Sequence, residues 1–134
     1  MDLFKGYFDG ASRGNPGPAG AGALLEDEDG RVVWEYREYL GRRTNNEAEY
    51  WALIALLEEA RSRGIDRLIA MGDSQLVVSQ VTRKWKINMP HLRELARRVW
   101  ELSEGMDVSF RWIPREENRR ADRLSNQAID MASE

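Results

Sequence analysis

Residues 44–73 read TNNEAEYWALIALLEEARSRGIDRLIAMGD. Thr44 suits a helix N-cap, and Glu47 follows three positions later, which is the capping-box pattern. Tyr50, Leu53, Ile54 and Leu57 recur at helical spacing, so a helix is predicted over Thr44–Arg63, stopped by Gly64. Arg67–Gly72 (RLIAMG) follows as a short buried strand. A strand reached through a long helix, after upstream strands, implies a mixed sheet with helices on its faces.

Upstream of this unit, Leu3–Asp9 alternates as a strand, and GASRGNPGPA (10–19) reads as irregular punctuation. Gly20–Leu25 is a second strand. Asp29-Gly30 is a hairpin signal, and Arg31–Leu40 is a third strand with Val32, Trp34 and Tyr36 on one face. These three form an antiparallel meander. Downstream, Ser74–Val81, Pro90–Glu104 and Asn118–Met131 read as helices, and Val108–Ile113 as a fifth strand. The expected order is βββαβααβα, an α/β fold with a five-stranded mixed sheet, in one domain over 1–134.

Bulk properties remove several function classes. The 134 residues contain no cysteine and one histidine, His91, which excludes disulfides, thiolate metal sites and a multi-histidine zinc site. The longest apolar run, Tyr50–Leu57, is too short to span a bilayer, which needs about 20 residues. The start, MDLFKGYFDG, lacks the pattern of a signal peptide. A soluble, cytoplasmic, monomeric protein is expected, without a membrane partner. The net charge of −3 does not favour a polyanion. Basic residues nevertheless cluster at Arg42-Arg43, at Arg83-Lys84-Lys86 and at Arg115-Arg119-Arg120-Arg123.

Three aspartates stand at element ends: Asp9 closing the first strand, Asp73 closing the fourth, and Asp122 in the first turns of the last helix. Asp73 could instead cap the helix that begins at Ser74. The two glutamates of TNNEAEY point to nearly opposite sides of a helix. Glu47 has a task in the capping box. Glu49 lies near the inner stripe, where a carboxylate needs either arginine partners or a cation. If Asp9, Glu49, Asp73 and Asp122 meet, their mutual repulsion is relieved by hard divalent cations. Oxygen-only ligands favour Mg²⁺ or Mn²⁺. Two such ions about 4 Å apart suit phosphodiester cleavage, and binding them turns the net charge slightly positive.

Four segments together resemble the type 1 ribonuclease H family: FDGASRGNPGPAG (8–20), TNNEAEY (44–50), GDSQLV (72–77) and PREENRRADRL (114–124). They span nearly the whole chain in the family's order. The resemblance implies a ribonuclease-H-like fold whose first three strands are antiparallel. It also implies endonucleolytic cleavage of the RNA strand of RNA–DNA hybrids, leaving 5′-phosphate and 3′-hydroxyl ends. The family's metal-binding and catalytic acids fall on Asp9, Glu49, Asp73 and Asp122. Contacts to RNA 2′-hydroxyls and nearby backbone fall on Asn15, Asn46 and Gln75, and Thr44 matches a residue that holds a DNA-strand phosphate. Amide side chains suit a 2′-hydroxyl because they both donate and accept.

The sequence departs from the well-known bacterial pattern twice. The loop before the last helix, Ile113-Pro114-Arg115-Glu116-Glu117, has no histidine, and Arg115 is the stand-in by position. A basic insertion is reduced to Thr82–Met89 (TRKWKINM), where Trp85 and its flanking cations could contact the DNA strand. Trp85 could equally be a core residue. Two other readings are a different metal-dependent nuclease or strand-transferase on this fold, and a catalytically silent nucleic-acid-binding domain.

Overall fold

The computed structural model describes residues 2–133. The first two strands are β1 (Leu3–Ser12) and β2 (Gly17–Glu26), joined by a turn of only four residues. Both reach further than the sequence predicts. Gly10, Ala11 and Ser12 stay paired with Ala21, Gly20 and Ala19, and the Arg13 amide donates to the Pro18 carbonyl at 2.9 Å. Gly10, Gly20 and Gly22 are strand residues placed where a helix comes close, not loop residues. A Cβ on Gly22 would lie 2.5 Å from the Ala121 carbonyl oxygen, and one on Gly20 2.3 Å from that of Ser125.

β3 (Val32–Arg43) completes the antiparallel meander. Its register shifts where Leu25 faces Trp34 but Glu26 faces Val32, so Val33 is an extra residue. Trp34 and Tyr36 therefore pack on the core as predicted, while Val32 does not join them and is exposed.

α1 (Asn45–Ser62) and β4 (Arg67–Gly72) follow, and β4 lies parallel to β1. The remaining elements are α2 (Gln75–Val81), α3 (Pro90–Ser103), β5 (Asp107–Trp112), a 3-10 turn (Arg115–Glu117) and α4 (Arg119–Ala132). β5 pairs parallel to β4, giving the sheet order β3-β2-β1-β4-β5. α1 packs on one face, against β1 and β2, and α4 packs on the other, against β2 and β3.

α1 is buried on more sides than its apolar stripe suggests. Ala48–Tyr50, Ala52–Leu57 and Ala60 are all buried. The sheet covers one side, and Leu92, Ala96, Val99 and Leu102 of α3 close the other. The Tyr50 hydroxyl donates to Gln80 Oε1 at 2.7 Å and ties α1 to α2. Among the described residues, no helix is long and apolar enough to cross a membrane.

Candidate active site

The parallel pairing of β1 with β4 ends at Phe8 opposite Gly72. The next residues on the two strands are Asp9 and Asp73. Asp9 does not close β1, as expected from the sequence, but sits inside it, opposite Gly22 on β2. It stands instead where the neighbouring β4 stops, and that leaves one side of it free. Asp73 does not cap α2. Ser74 does, its Oγ accepting from the Val77 amide at 3.1 Å, so the Asp73 carboxylate has no capping task.

The capping box of α1 is complete. The Glu47 amide donates to Thr44 Oγ1 at 3.1 Å, and the Thr44 amide donates to Glu47 Oε1 at 2.8 Å. This fixes the helix start, and two residues later Glu49 faces inward at 3% exposure. Gly10 makes the close approach possible, since a Cβ there would lie 2.2 Å from the Glu49 nitrogen. Asp9, Glu49 and Asp73 each bring a carboxylate oxygen within 4.8 Å of the others.

Asp122, on the first turn of α4, lies outside that tight trio but lines the same cavity of about 440 Å³, with Arg115, Asn126, Ser12, Asn45 and Ser74. Asn118 fixes its position. The Asn118 side-chain amide donates to the Phe8 carbonyl at 3.0 Å, and the Asn118 backbone carbonyl accepts from the Asp122 amide at 3.1 Å. One buried residue thus joins β1, next to Asp9, through its side chain to the helix bearing Asp122. In the sequence Asn118 reads only as a helix-start residue, yet its side chain makes no capping bond. Asn118→Ala leaves the buried Phe8 carbonyl without its donor and should cost about 1–3 kcal/mol. Chemical denaturation measures this, and an unchanged midpoint would contradict it.

The other sequence-predicted residues spread around this cavity. Asn15 Oδ1 accepts from the Asn45 amide at 3.0 Å and ties the β1–β2 turn to the start of α1. It is Asn45, not Asn46, that lines the cavity, and Asn46 is half-buried beside it. Gln75 is exposed at the start of α2. Trp85 is 51% exposed and is not a core residue. It lines a separate cleft of about 350 Å³ with Arg83, Lys84, Lys86 and Trp100. The Arg83 guanidinium lies 3.8 Å from the centroid of the Trp100 ring.

The carboxylates are electrostatically crowded. Burial raises the pKa of Asp9, and the neighbouring Glu49 charge raises it further. Burial also raises Glu49, although the Gly10 amide favours its charged form. Burial and mutual repulsion thus both favour a proton on the Asp9–Glu49 pair at neutral pH. Burial raises Asp73 too, against the opposing pull of Arg115. Glu47 behaves oppositely: burial pushes it up, but the bonds from Thr44 outweigh this and its pKa is lowered.

A family model described as reverse transcriptase-like matches residues 7–128. Ribonuclease HI of Halobacterium salinarum is 52% identical over 127 residues, covering 94% of this chain and 64% of that relative. Ribonuclease H of Halorhodospira halophila is 37% identical, covering 96% of this chain and 93% of that relative. The chain belongs to the type 1 ribonuclease H family. A solved ribonuclease H1 isolated from compost, crystallised in complex with an RNA/DNA hybrid, superposes with a TM-score of 0.93 at 39% identity. That match covers 98% of this chain and 99% of the other. The five-stranded mixed sheet with helices on both faces is the ribonuclease H architecture. The chain spans about two thirds of the Halobacterium relative's length.

Divalent cations fit this ribonuclease H site. Its donors are all carboxylate oxygens, and Glu49 Oε2 is buried without any hydrogen-bond partner. The raised pKa values give a signed expectation for the metal-free protein. A carboxyl group whose folded pKa lies above its unfolded value of about 4 stabilises the fold below that pH, and the contribution is lost as pH rises through the folded value. Asp9, Glu49 and Asp73 all shift this way. Asp9→Asn should therefore melt no lower than wild type in chelator at alkaline pH. Its advantage should shrink toward pH ~5, where the wild-type Asp9 carboxyl is protonated. Melting curves across pH test this, and an Asp9→Asn protein less stable than wild type at alkaline pH would contradict it.

Proposed function

We propose that residues 1–134 form one ribonuclease H domain that hydrolyses the RNA strand of RNA–DNA hybrids and leaves 5′-phosphate and 3′-hydroxyl ends. The observation that carries this reading is the carboxylate trio, buried at Asp9 and Glu49, with an unpartnered Glu49 oxygen at the end of two parallel strands. Asp9, Glu49, Asp73 and Asp122 would hold two divalent ions, Mg²⁺ in the first instance and Mn²⁺ as a substitute. When bound, such a pair supplies a nucleophile at neutral pH and neutralises charge developing on the leaving oxygen. The chain acts as a monomer in this reading. The cytoplasmic setting expected of a cysteine-free sequence belongs to the same proposal.

The protein's own groups bind and orient the strands. Asn15, Asn46 and Gln75 would read 2′-hydroxyls, which require groups able to donate and accept. The Thr44 oxygen accepts from Glu47, which leaves its hydroxyl proton for a DNA-strand phosphate. Trp85, open to solvent in a cleft lined by five cations, offers a stacking face with phosphate partners beside it, suited to the DNA strand. Arg115 on the cavity wall would hold a phosphate or the departing product. A guanidinium is a phosphate ligand and not a proton shuttle.

A hybrid whose RNA strand carries an internal run of 2′-deoxynucleotides tests the reading. Cleavage should occur on the ribose flanks and stop within the run. Equal cutting inside the run would remove the 2′-hydroxyl from the account.

A further inference from the structure

The segment 115–123 carries four arginines, and they divide between two tasks. Arg120 turns to the sheet, where it pairs with Glu26 at 2.8 Å and its guanidinium lies 4.9 Å from the Tyr7 ring. Arg115, Arg119 and Arg123 are exposed, and among the described residues they form no ion pair. All three line a groove of about 710 Å³ along the outer side of α4. The groove adjoins the carboxylate cavity, because Arg115, Asp122 and Asn126 line both.

Its acids do not cancel these charges. Asp130 is held by Arg13 at 2.7 Å, and Asp122 belongs to the carboxylate site. Glu116 alone remains against three free guanidinium groups. Arg119 and Arg123 stand four residues apart on α4, about 6 Å along the axis and on one face. A nucleic-acid strand advances ~3.4 Å of helix axis per phosphate, so that spacing spans about two phosphates.

We infer that the cleaved strand continues past the carboxylates into this groove, with Arg119 and Arg123 gripping backbone phosphates beyond the cut bond. The inference rests on the proposed hybrid-cleaving activity and adds a second length of strand to its footprint. The grip is independent of sequence, since phosphates carry no base information. It lengthens the stretch of cleaved strand needed for full affinity.

The test is hybrid binding in chelator, followed by fluorescence anisotropy across a range of salt concentrations. Arg119→Gln with Arg123→Gln should make the plot of log affinity against log salt shallower by about 1.5, or ~0.7–0.9 per lost phosphate contact. Arg31→Gln with Arg67→Gln removes two cations from the far end of the sheet and should leave the slope unchanged. RNA strands lengthened stepwise at either end show which direction uses the groove: wild type should gain affinity with length at one end, and the Arg119/Arg123 double variant should not. A double variant with the wild-type slope and length dependence would overturn the inference. So would an equal loss in the Arg31/Arg67 control. A wild type that neither binds nor cleaves hybrid would instead overturn the activity on which the inference rests.

Discussion

Glu49→Gln should keep the fold and lose hybrid cleavage by on the order of 10³-fold, about 4 kcal/mol of barrier. The substitution is nearly isosteric but removes the charge of a fully buried carboxylate whose Oε2 has no partner in the protein. Without metal the variant should melt no lower than wild type, because one member of a mutually repelling trio is gone. Glu47→Gln, two residues away, is the matched control. Glutamine can still accept from the Thr44 amide and close the capping box, so activity should change little. Single-turnover cleavage with melting curves separates the two. A Glu49→Gln enzyme that cleaves at the wild-type rate, or a Glu47→Gln enzyme that does not cleave, would reverse the division of labour assigned here.

Gly10→Ala should damage stability and cleavage together. The new Cβ would meet backbone atoms, 2.2 Å from the Glu49 nitrogen and 2.3 Å from the Ala48 carbonyl carbon, so no side-chain rotation relieves it. α1 must retreat from β1. Overpacking of this kind costs about 1–3 kcal/mol or more. The retreat also carries Glu49 away from Asp9, and misplacement by about 1 Å can cost ~10²-fold in rate. Gly30 gives the contrast. Its φ of +81° disfavours a side chain, but a Cβ there meets nothing within 4 Å. Gly30→Ala should therefore cost about 1–2 kcal/mol of backbone strain and leave the rate alone. A Gly10→Ala protein with wild-type melting temperature and rate would show that the close β1–α1 approach does not position the site.

The sequence makes some of this legible because the cause is local. Thr44 and Glu47 lie one helical turn apart, and their capping box forms as the pattern predicts. Glu49 reads as a buried acid because the same helix is apolar around it. The adjacency of Asp9 and Asp73 follows once β4 is placed parallel to β1. Other features depend on partners far along the chain. Gly10 looks like punctuation until α1 is seen against it. The wide burial of α1 is set by α3, which begins 28 positions after α1 ends. Val32 leaves the core because of a register shift that no periodicity announces. Asn118 reaches back 110 positions to the Phe8 carbonyl, and only the fold reveals that bond.

The most direct test uses a hybrid labelled at the 5′ end of its RNA strand, incubated with wild type in Mg²⁺, in Mn²⁺ and in chelator, and with Asp9→Asn in Mg²⁺. The account predicts shortened RNA with wild type and either metal, and intact RNA in chelator and with Asp9→Asn. RNA left whole by the wild type in both metals would contradict it.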